Sequence, residues 1–378
     1  MAKLIIFFCF YFLFLAKDIY SQNTEINIPL RRNEEVLLGF YNYEKYFILS
    51  KINNILILKK IYPDRRINEF VTSATGEIIH ANFFEDNDLN KIIYVFKNND
   101  QYYLKIFDEN FNLYYDNRIF DSNLKLINVF LWKEQSKLLF FTKENGYLKI
   151  FSFELNNNIL NSTNTNITLE KDILNIYSYQ HYLFLIEEND RGSNIFVFNR
   201  FLNLINISFW ENLKWQDYDS VGNILYLCGY DKNRYIKIFS YDFINRRILE
   251  HNAGEVKFEN LLECDYISGD INNLFYLYNQ DRKMILKSLY SDINLILENA
   301  YIPRGKIEKS YHKIDDLFDG FISYIISNPY RINILRINIH NNNFSLRNYS
   351  NSYFINVDNN VVFIKNNFLN IITILDFN

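Results

Sequence analysis

Glycine and proline are scarce in this 378-residue chain, at 10 and 4 residues. Turns must therefore be made by Asn and Asp, which tolerate left-handed backbone and hydrogen-bond their own chain. The scattered glycines also exclude a P-loop or a dinucleotide fingerprint, both of which need clustered glycine for close phosphate approach. Of the 3 cysteines, no two form a CxxC pair and none joins a Cys/His zinc pattern. A surplus of positive charge is missing as well. Lys and Arg total 40 against 44 Asp and Glu, interspersed, for a net −4, and no basic stripe marks a nucleic-acid surface. Gly-x-Ser-x-Gly, HExxH and Ser-x-Asp-x-Gly are absent, which removes the usual hydrolase, zinc-protease and sialidase signatures. No stretch carries a sustained 3.6-residue apolar stripe, so helix is nearly excluded.

What is present is apolar and aromatic. Hydrophobic residues make up 49% and aromatics 18%, with 30 Tyr and 35 Phe, enough for a large core and against disorder. The chain opens with Lys3, an unbroken apolar run Leu4–Leu15 and the small residue Ser21. Twelve apolar residues fall short of the ~20 that cross a bilayer, so residues 1–21 are expected to be a cleaved secretory signal. The alternative is an uncleaved anchor extended by Ala16–Tyr20. The expected mature chain, 22–378, is a secreted single domain. Cleavage would remove Cys9 and leave Cys228 and Cys264, which either pair in an oxidising compartment or stay as buried thiols.

One unit recurs along the chain. Its clearest copies are Tyr103–Asp108 (YLKIFD), Tyr147–Ser152 (YLKIFS), Asn194–Asn199 (NIFVFN) and Tyr235–Ser240 (YIKIFS), with starts 44, 47 and 41 residues apart. A period of ~40–50 residues with variable loops matches a four-stranded propeller blade. In the third unit the strands read as Leu124–Trp132, Lys137–Thr142, Gly146–Glu154 and Asn158–Ile167. In the fifth they read as Leu213–Tyr218, Asn223–Tyr230, Arg234–Asp242 and Arg246–Asn252. Runs such as Ile92–Phe96 and Leu138–Phe141 are apolar on both faces, as strands between packed sheets are. The fourth strands, such as Phe111–Ile119 and Arg246–Asn252, are wetter, as exposed edges should be. The last unit offers three strands, and Thr24–Leu30 supplies the spare one that would complete it.

The predicted class is therefore all-β, a β-propeller of four-stranded antiparallel blades closed by its N-terminal strand. Hairpins count to eight, with seven or six if an end unit is not a blade. The hairpins Leu274–Asp292 and Ile224–Asp242 resemble the YWTD and TolB-like propeller class, in which a Tyr-rich strand precedes a turn and an isoleucine-bearing strand. That class usually has six blades, and the YWTD tetrapeptide itself does not occur here.

Chemistry is dispersed. The histidines His80, His181, His251, His312 and His340 fall in different units. Turns between first and second strands carry Glu44, Asp86, Asp88, Glu134, Asp219, Asp270, Asp319 and Asp358, either as turn-formers or as one acidic face. Turns between second and third strands mix Lys97, Lys143, Arg191, Lys232, Arg234, Arg282 and Arg331 with acids and with Tyr102, Tyr147 and Tyr330, a composition suited to protein recognition. Trp132, Trp210 and Trp215 read as core. Sequons at Asn161, Asn166, Asn206, Asn343 and Asn348 map to outermost strands or their flanks. The expectation is a secreted, glycosylated, monomeric binding module without cofactor, metal or catalytic residues, engaging a protein through a propeller face. The competing expectation is an enzyme with its site in the central channel.

Overall fold

The structure is a computed structural model. It describes residues 24–42, 44–73, 76–85, 90–120, 124–171, 174–179, 181–189, 191–211, 218–221, 224–230, 233–242, 245, 247–257, 261–267, 273–280, 283–288, 294–297, 306–315, 319–328, 331–338, 344–358 and 361–376. Among them, eight four-stranded antiparallel sheets follow one another along the chain, the blades of a β-propeller.

Sheet 1 holds β2 (Glu35–Asn42), β3 (Lys45–Ile52), β4 (Ile55–Ile61) and β5 (Ile67–Ser73). Sheet 2 holds β6 (Glu77–Phe84), β7 (Lys91–Asn98), β8 (Gln101–Phe107) and β9 (Leu113–Phe120). Sheet 3 holds β10 (Lys125–Trp132), β11 (Lys137–Glu144), β12 (Tyr147–Glu154) and β13 (Ile159–Thr168). Sheet 4 holds β14 (Leu174–Tyr179), β15 (Tyr182–Glu188), β16 (Gly192–Asn199) and β17 (Leu204–Glu211). Sheet 5 holds β18 (Tyr218–Val221), β19 (Ile224–Tyr230), β20 (Tyr235–Asp242) and β21 (Arg247–Lys257). Sheet 6 holds β22 (Leu261–Ile267), β23 (Asn273–Gln280), β24 (Lys283–Ser288) and β25 (Asn294–Leu297). Sheet 7 holds β26 (Lys306–Asp315), β27 (Asp319–Asn328), β28 (Arg331–Asn338) and β29 (Phe344–Ser350). Sheet 8 holds β30 (Ser352–Asp358), β31 (Val361–Asn366), β32 (Ile371–Asp376) and, as its outer strand, β1 (Thr24–Pro29). The expected first strand of sheet 5, Leu213–Tyr218, lies outside the described residues except for Tyr218, with which β18 opens.

The chain divides into two compact units, one with β1–β5 and β30–β32, the other with β6–β26 and most of β27–β29. In the first unit, β1 pairs antiparallel with β32 from Thr24↔Asp376 to Pro29↔Ile371, so the two chain ends share one sheet. Ile26 and Ile28 thereby join a core with Tyr46, Ile48, Ile61, Val361, Phe363 and Ile374. The loop from β1 to β2 turns on a buried charge. Glu34 accepts Lys59 Nζ at 2.8 Å, Ser50 Oγ at 2.5 Å and the Arg31 amide at 2.7 Å, while Lys365 Nζ donates to its carbonyl at 2.8 Å.

In the second unit, consecutive sheets pack face to face. Ile93, Val95 and Leu104 of sheet 2 meet Leu138, Phe140 and Phe153 of sheet 3. Trp132, Phe141 and Ile150 of sheet 3 meet Leu185, Phe196 and Phe198 of sheet 4, and Trp210 packs with Tyr241 across sheets 4 and 5. Alternate residues of one strand feed opposite neighbours, which is why these strands read as unbroken apolar runs.

Asparagine does the turn work. Among the described residues, fourteen non-glycine positions have positive φ, seven of them Asn and one Asp. Two exceptions share one turn geometry. Phe111 (φ 61°) follows Asp108, whose Oδ1 accepts the Asn110 and Asn112 amides at 2.8 Å. Leu202 (φ 61°) follows Asn199, whose Oδ1 accepts the Phe201 and Asn203 amides at 3.0 Å. The acceptor at the turn's start closes a loop that more often uses glycine at the left-handed position.

Bulges recur at fixed places. Innermost strands slip by one residue at Val36/Leu38, Ile78/His80, Leu126/Asn128, Leu261/Glu263 and Phe354/Asn356. Outermost strands slip near their ends and turn Ile119, Ile167 and Val256 inward, each under 10% exposed. A bulge re-aims side chains without ending the strand.

Candidate functional site

The lysine of the repeated YLKIF strand has a structural task. Lys105 on β8 reaches Asp116 on β9 at 3.3 Å, and Lys237 on β20 reaches Glu250 on β21 at 2.9 Å. Lys149 on β12 meets Glu144 at 3.2 Å, and Lys59 on β4 meets buried Glu34. The first two pairs tie a third strand to its outer neighbour with matched charge.

Sheet 4 departs from this. Its third strand, GSNIFVFN, has no lysine. Asn194 stands on β16 opposite Phe209 of β17, which is 50% exposed. Beneath them Glu187 is fully buried. Its carboxylate is satisfied by the Lys171 amide at 2.9 Å and Asn194 Nδ2 at 3.0 Å. Above lies a cavity of about 440 Å³ lined by Glu170, Lys171, Asn189, Arg191, Asn194 and Phe209. The wall is held by a tight turn in which Asn189 Oδ1 accepts the Arg191 and Gly192 amides, both at 2.9 Å. Gly192 is required there, because a Cβ would sit 2.1 Å from the Trp210 carbonyl oxygen.

The cavity opens beside an apolar edge. Leu204, Ile207 and Phe209 of β17 are 39%, 56% and 50% exposed, and Phe201 in the preceding turn is 63% exposed beneath the Arg200 guanidinium. Among the described residues, outer strands elsewhere expose at most two large apolar side chains, such as Val71 or Leu249, whereas β17 exposes three. The arrangement offers cationic donors, the amide oxygen of Asn194 and an aromatic face. Glu187 is committed to its two donors. A larger and more open cavity of about 680 Å³ lies on sheet 3 at the Glu144–Tyr147 turn, with the Lys149–Glu144 pair among its lining.

The remaining candidate residues disperse. His80 on innermost β6 is desolvated, and burial pushes its pKa down to about 4. His251 shares a hydrogen bond with Ser240 Oγ at 2.8 Å, and His181 lies 3.0 Å from Gln135 Nε2. His340 is outside the described residues, and His312 is described in its backbone alone. Among the described residues no group of three His, Cys, Asp or Glu could hold a metal. Of the acidic turns, Glu44 is left-handed (φ 62°) and Glu134 accepts Ser178 Oγ at 3.2 Å. Asp86, Asp88 and Asp270 lie outside the described residues, as do the side chains of Asp219, Asp319 and Asp358. In the opposite turns Lys97 pairs with Asp100 at 2.9 Å, and Arg234 covers the Tyr230 ring at 5.2 Å. Lys232, Arg282, Tyr330, Asn343 and Trp215 lie outside the described residues.

Cys228 is on β19 and Cys264 on β22, their side chains outside the described set. Asn161 and Asn166 on β13 and Asn348 on β29 are exposed on outer strands. Asn206, on β17, is turned inward, its Nδ2 donating to Tyr241 Oη of the next sheet at 2.5 Å. Arg191, Asn194 and Phe209 are separate in sequence and meet only through the β16–β17 register.

No protein-family model matches the chain. Over 290 residues it is 26% identical to DNA-directed RNA polymerase subunit beta'' of Plasmodium falciparum (isolate 3D7), covering 68% of this chain and 27% of that subunit. That level assigns no family. Among solved structures, the chain is similar to dihydro-heme d1 dehydrogenase NirN (TM-score 0.55, 10% identity, covering 84% of this chain and 67% of that one). It is also similar to a prolyl endopeptidase (0.54, 10%, covering 89% and 55%). A third is the WD40 domain of SCAP from fission yeast (0.51, 11%, covering 94% and 98%). At these identities the likeness is one of fold. Among the described residues no helix is long and apolar enough to cross a membrane.

Proposed function

We propose that the chain is a secreted, non-catalytic binding module that engages another protein through the outer edge of sheet 4. The observation that carries this is the exposed apolar stripe Leu204, Ile207 and Phe209 beside the cationic wall of Lys171 and Arg191. An apolar patch rimmed by polar groups marks an interaction surface, and aromatic and arginine side chains are favoured anchors. Propellers serve many functions, so the assignment stands on the patch and not on the fold. Secretion rests on the amino-terminal sequence, and outer-strand sequons at Asn161, Asn166 and Asn348 suit it. The test is affinity capture from native extracellular medium with the wild-type chain and with Ile207→Asp. One protein species retained by the first and lost by the second is expected. Equal capture by both, or capture by neither, sinks the reading.

A further inference from the structure

We propose that β17 accepts an extended strand of the partner protein along its free edge, and that this strand carries a carboxylate for Arg191. This rests on the binding reading above and adds the recognition element. β17 is outermost in its sheet, and among the described residues no strand pairs with its open side. Such an edge presents a row of backbone N–H and C=O groups that one more strand completes. From Val197↔Asn206 to Gly192↔Glu211 the pairing with β16 is unbroken. That regular span is of the length, about five or six residues, that ordinary strands use.

Proteins protect outer edges with charge. Here β5 carries Glu69, β9 carries Asp116 and Arg118, β21 carries Arg247 and Glu250, and β29 carries Arg347. β13 is uncharged but lined by Asn, Ser and Thr. β25 (NLIL) is also uncharged but only four residues long, which leaves β17 as the longer edge without such protection. It reads LINISFWE, with its single charge at the terminal Glu211. Its sequon does not shield it in the fold, because the Asn206 amide is held by Tyr241 at 2.5 Å. An added strand fits this edge if it is apolar at alternate positions, matching Ile207 and Phe209 on one face.

Charge selects the flanking residue. Arg191 is exposed, and no carboxylate among the described residues lies within ion-pair reach of its guanidinium. The cavity wall carries Lys171 and Arg191 against Glu170, while Glu187 beneath is already satisfied by two donors. An Asp or Glu at the end of the added strand nearest Phe209 would take the free fork, a geometry arginine suits.

The test pans a random dodecapeptide library on the full chain and measures the enriched peptides by fluorescence anisotropy. Enriched sequences should alternate apolar residues and end in Asp or Glu. Ile207→Lys should weaken them by about tenfold or more, and so should N-methylation of peptide amides at alternate positions, since edge pairing depends on main-chain hydrogen bonds. Arg191→Ala should weaken acidic peptides and leave their amide analogues unchanged. Enrichment of peptides indifferent to N-methylation, or no enrichment over a scrambled pool, overturns the proposal. So does a wild-type dimer that Ile207→Lys dissociates, because the edge is then filled by a second copy. If extracellular capture succeeds and is lost with Ile207→Asp while peptides fail, strand addition falls and the binding role of this edge survives.

Discussion

Asn356 holds both backbone groups of Gly39: its Oδ1 accepts the Gly39 amide at 2.8 Å and its Nδ2 donates to the Gly39 carbonyl at 2.6 Å. The two residues are 317 apart in the chain, on innermost strands β30 and β2, which share no ladder. Asn356 is the first paired residue after the β30 bulge, and the bulge frees its amide to imitate one rung. Gly39 is needed because a Cβ there would stand 2.3 Å from the buried Phe363 ring.

Gly39→Ala should therefore act as overpacking against a fixed ring and cost about 1–3 kcal/mol. Asn356→Leu keeps the volume but strands the Gly39 amide and carbonyl, and should cost about 1–3 kcal/mol. Urea unfolding of both variants measures this. Two neutral results would mean that sheets 1 and 8 are joined by other contacts.

Glu34 and Lys59 form a buried ion pair, their side chains 0% and 2% exposed. Burial raises the Glu34 pKa, but hydrogen bonds from Lys59, Ser50 and the Arg31 amide outweigh it, and the net shift is downward. Lys59→Met leaves an uncompensated carboxylate and should cost about 3–5 kcal/mol, whereas Lys59→Met with Glu34→Leu should recover much of that loss. The folded pKa is the lower one. The pair's contribution is thus present above the unfolded carboxyl value of 4.5 and lost as pH falls below it. The pH dependence of stability in wild type and the double variant should differ only in that range.

His80 provides a second, separate pH window. Desolvation lowers its pKa from 6.5 to about 4, so the fold holds it neutral. Unfolding must then take up a proton, and the stability it contributes is present above pH 6.5 and lost as pH falls towards 4. His251, also lowered by burial, adds to the same slope. His80→Asn should flatten the dependence of the urea midpoint over this interval. An imidazole resonance titrating near 6.5 in the folded wild type would refute the buried-neutral state.

The frame of the fold was legible in the sequence. The third strand of sheet 3, read as Gly146–Glu154, is β12 at Tyr147–Glu154, and the spare strand Thr24–Leu30 is β1 on the last sheet. Both follow from local signals, an apolar run between turn residues. The substitution of Asn for Gly in turns was legible for the same reason. The innermost bulges were not. Ile79, Ile127 and Ile355 look like any strand isoleucine, and what makes each the slipped residue is its pairing with a neighbouring strand.

The candidate site was hidden in the same way. Arg191 was visible as a charged turn residue and Phe209 as the tail of an edge strand. Their meeting depends on the register Asn194↔Phe209 and on Gly192 letting β17 approach. The signal that could have found it is a missing letter. Among NIFVFN, YLKIFS and YIKIFS, the strand of sheet 4 lacks the lysine that elsewhere meets a carboxylate, and departures from a repeat tend to fall at functional positions.

Asn206 and Tyr241 supply the last test, which sorts the sequons. Asn161, Asn166 and Asn348 are exposed on outer strands, whereas Asn206 Nδ2 is committed to Tyr241 Oη at 2.5 Å and Tyr241 is 5% exposed. A glycan on that nitrogen would crowd a contact between sheets 4 and 5. In a chain passing through a glycosylating compartment, peptide mapping after glycosidase treatment should find modification at the three exposed sites and none at Asn206. Tyr241→Phe should raise occupancy at Asn206 and cost about 1 kcal/mol through the lost hydrogen bond. Full occupancy of Asn206 in folded wild-type protein would show that the tie is not kept, and would also place a sugar across the edge offered by β17.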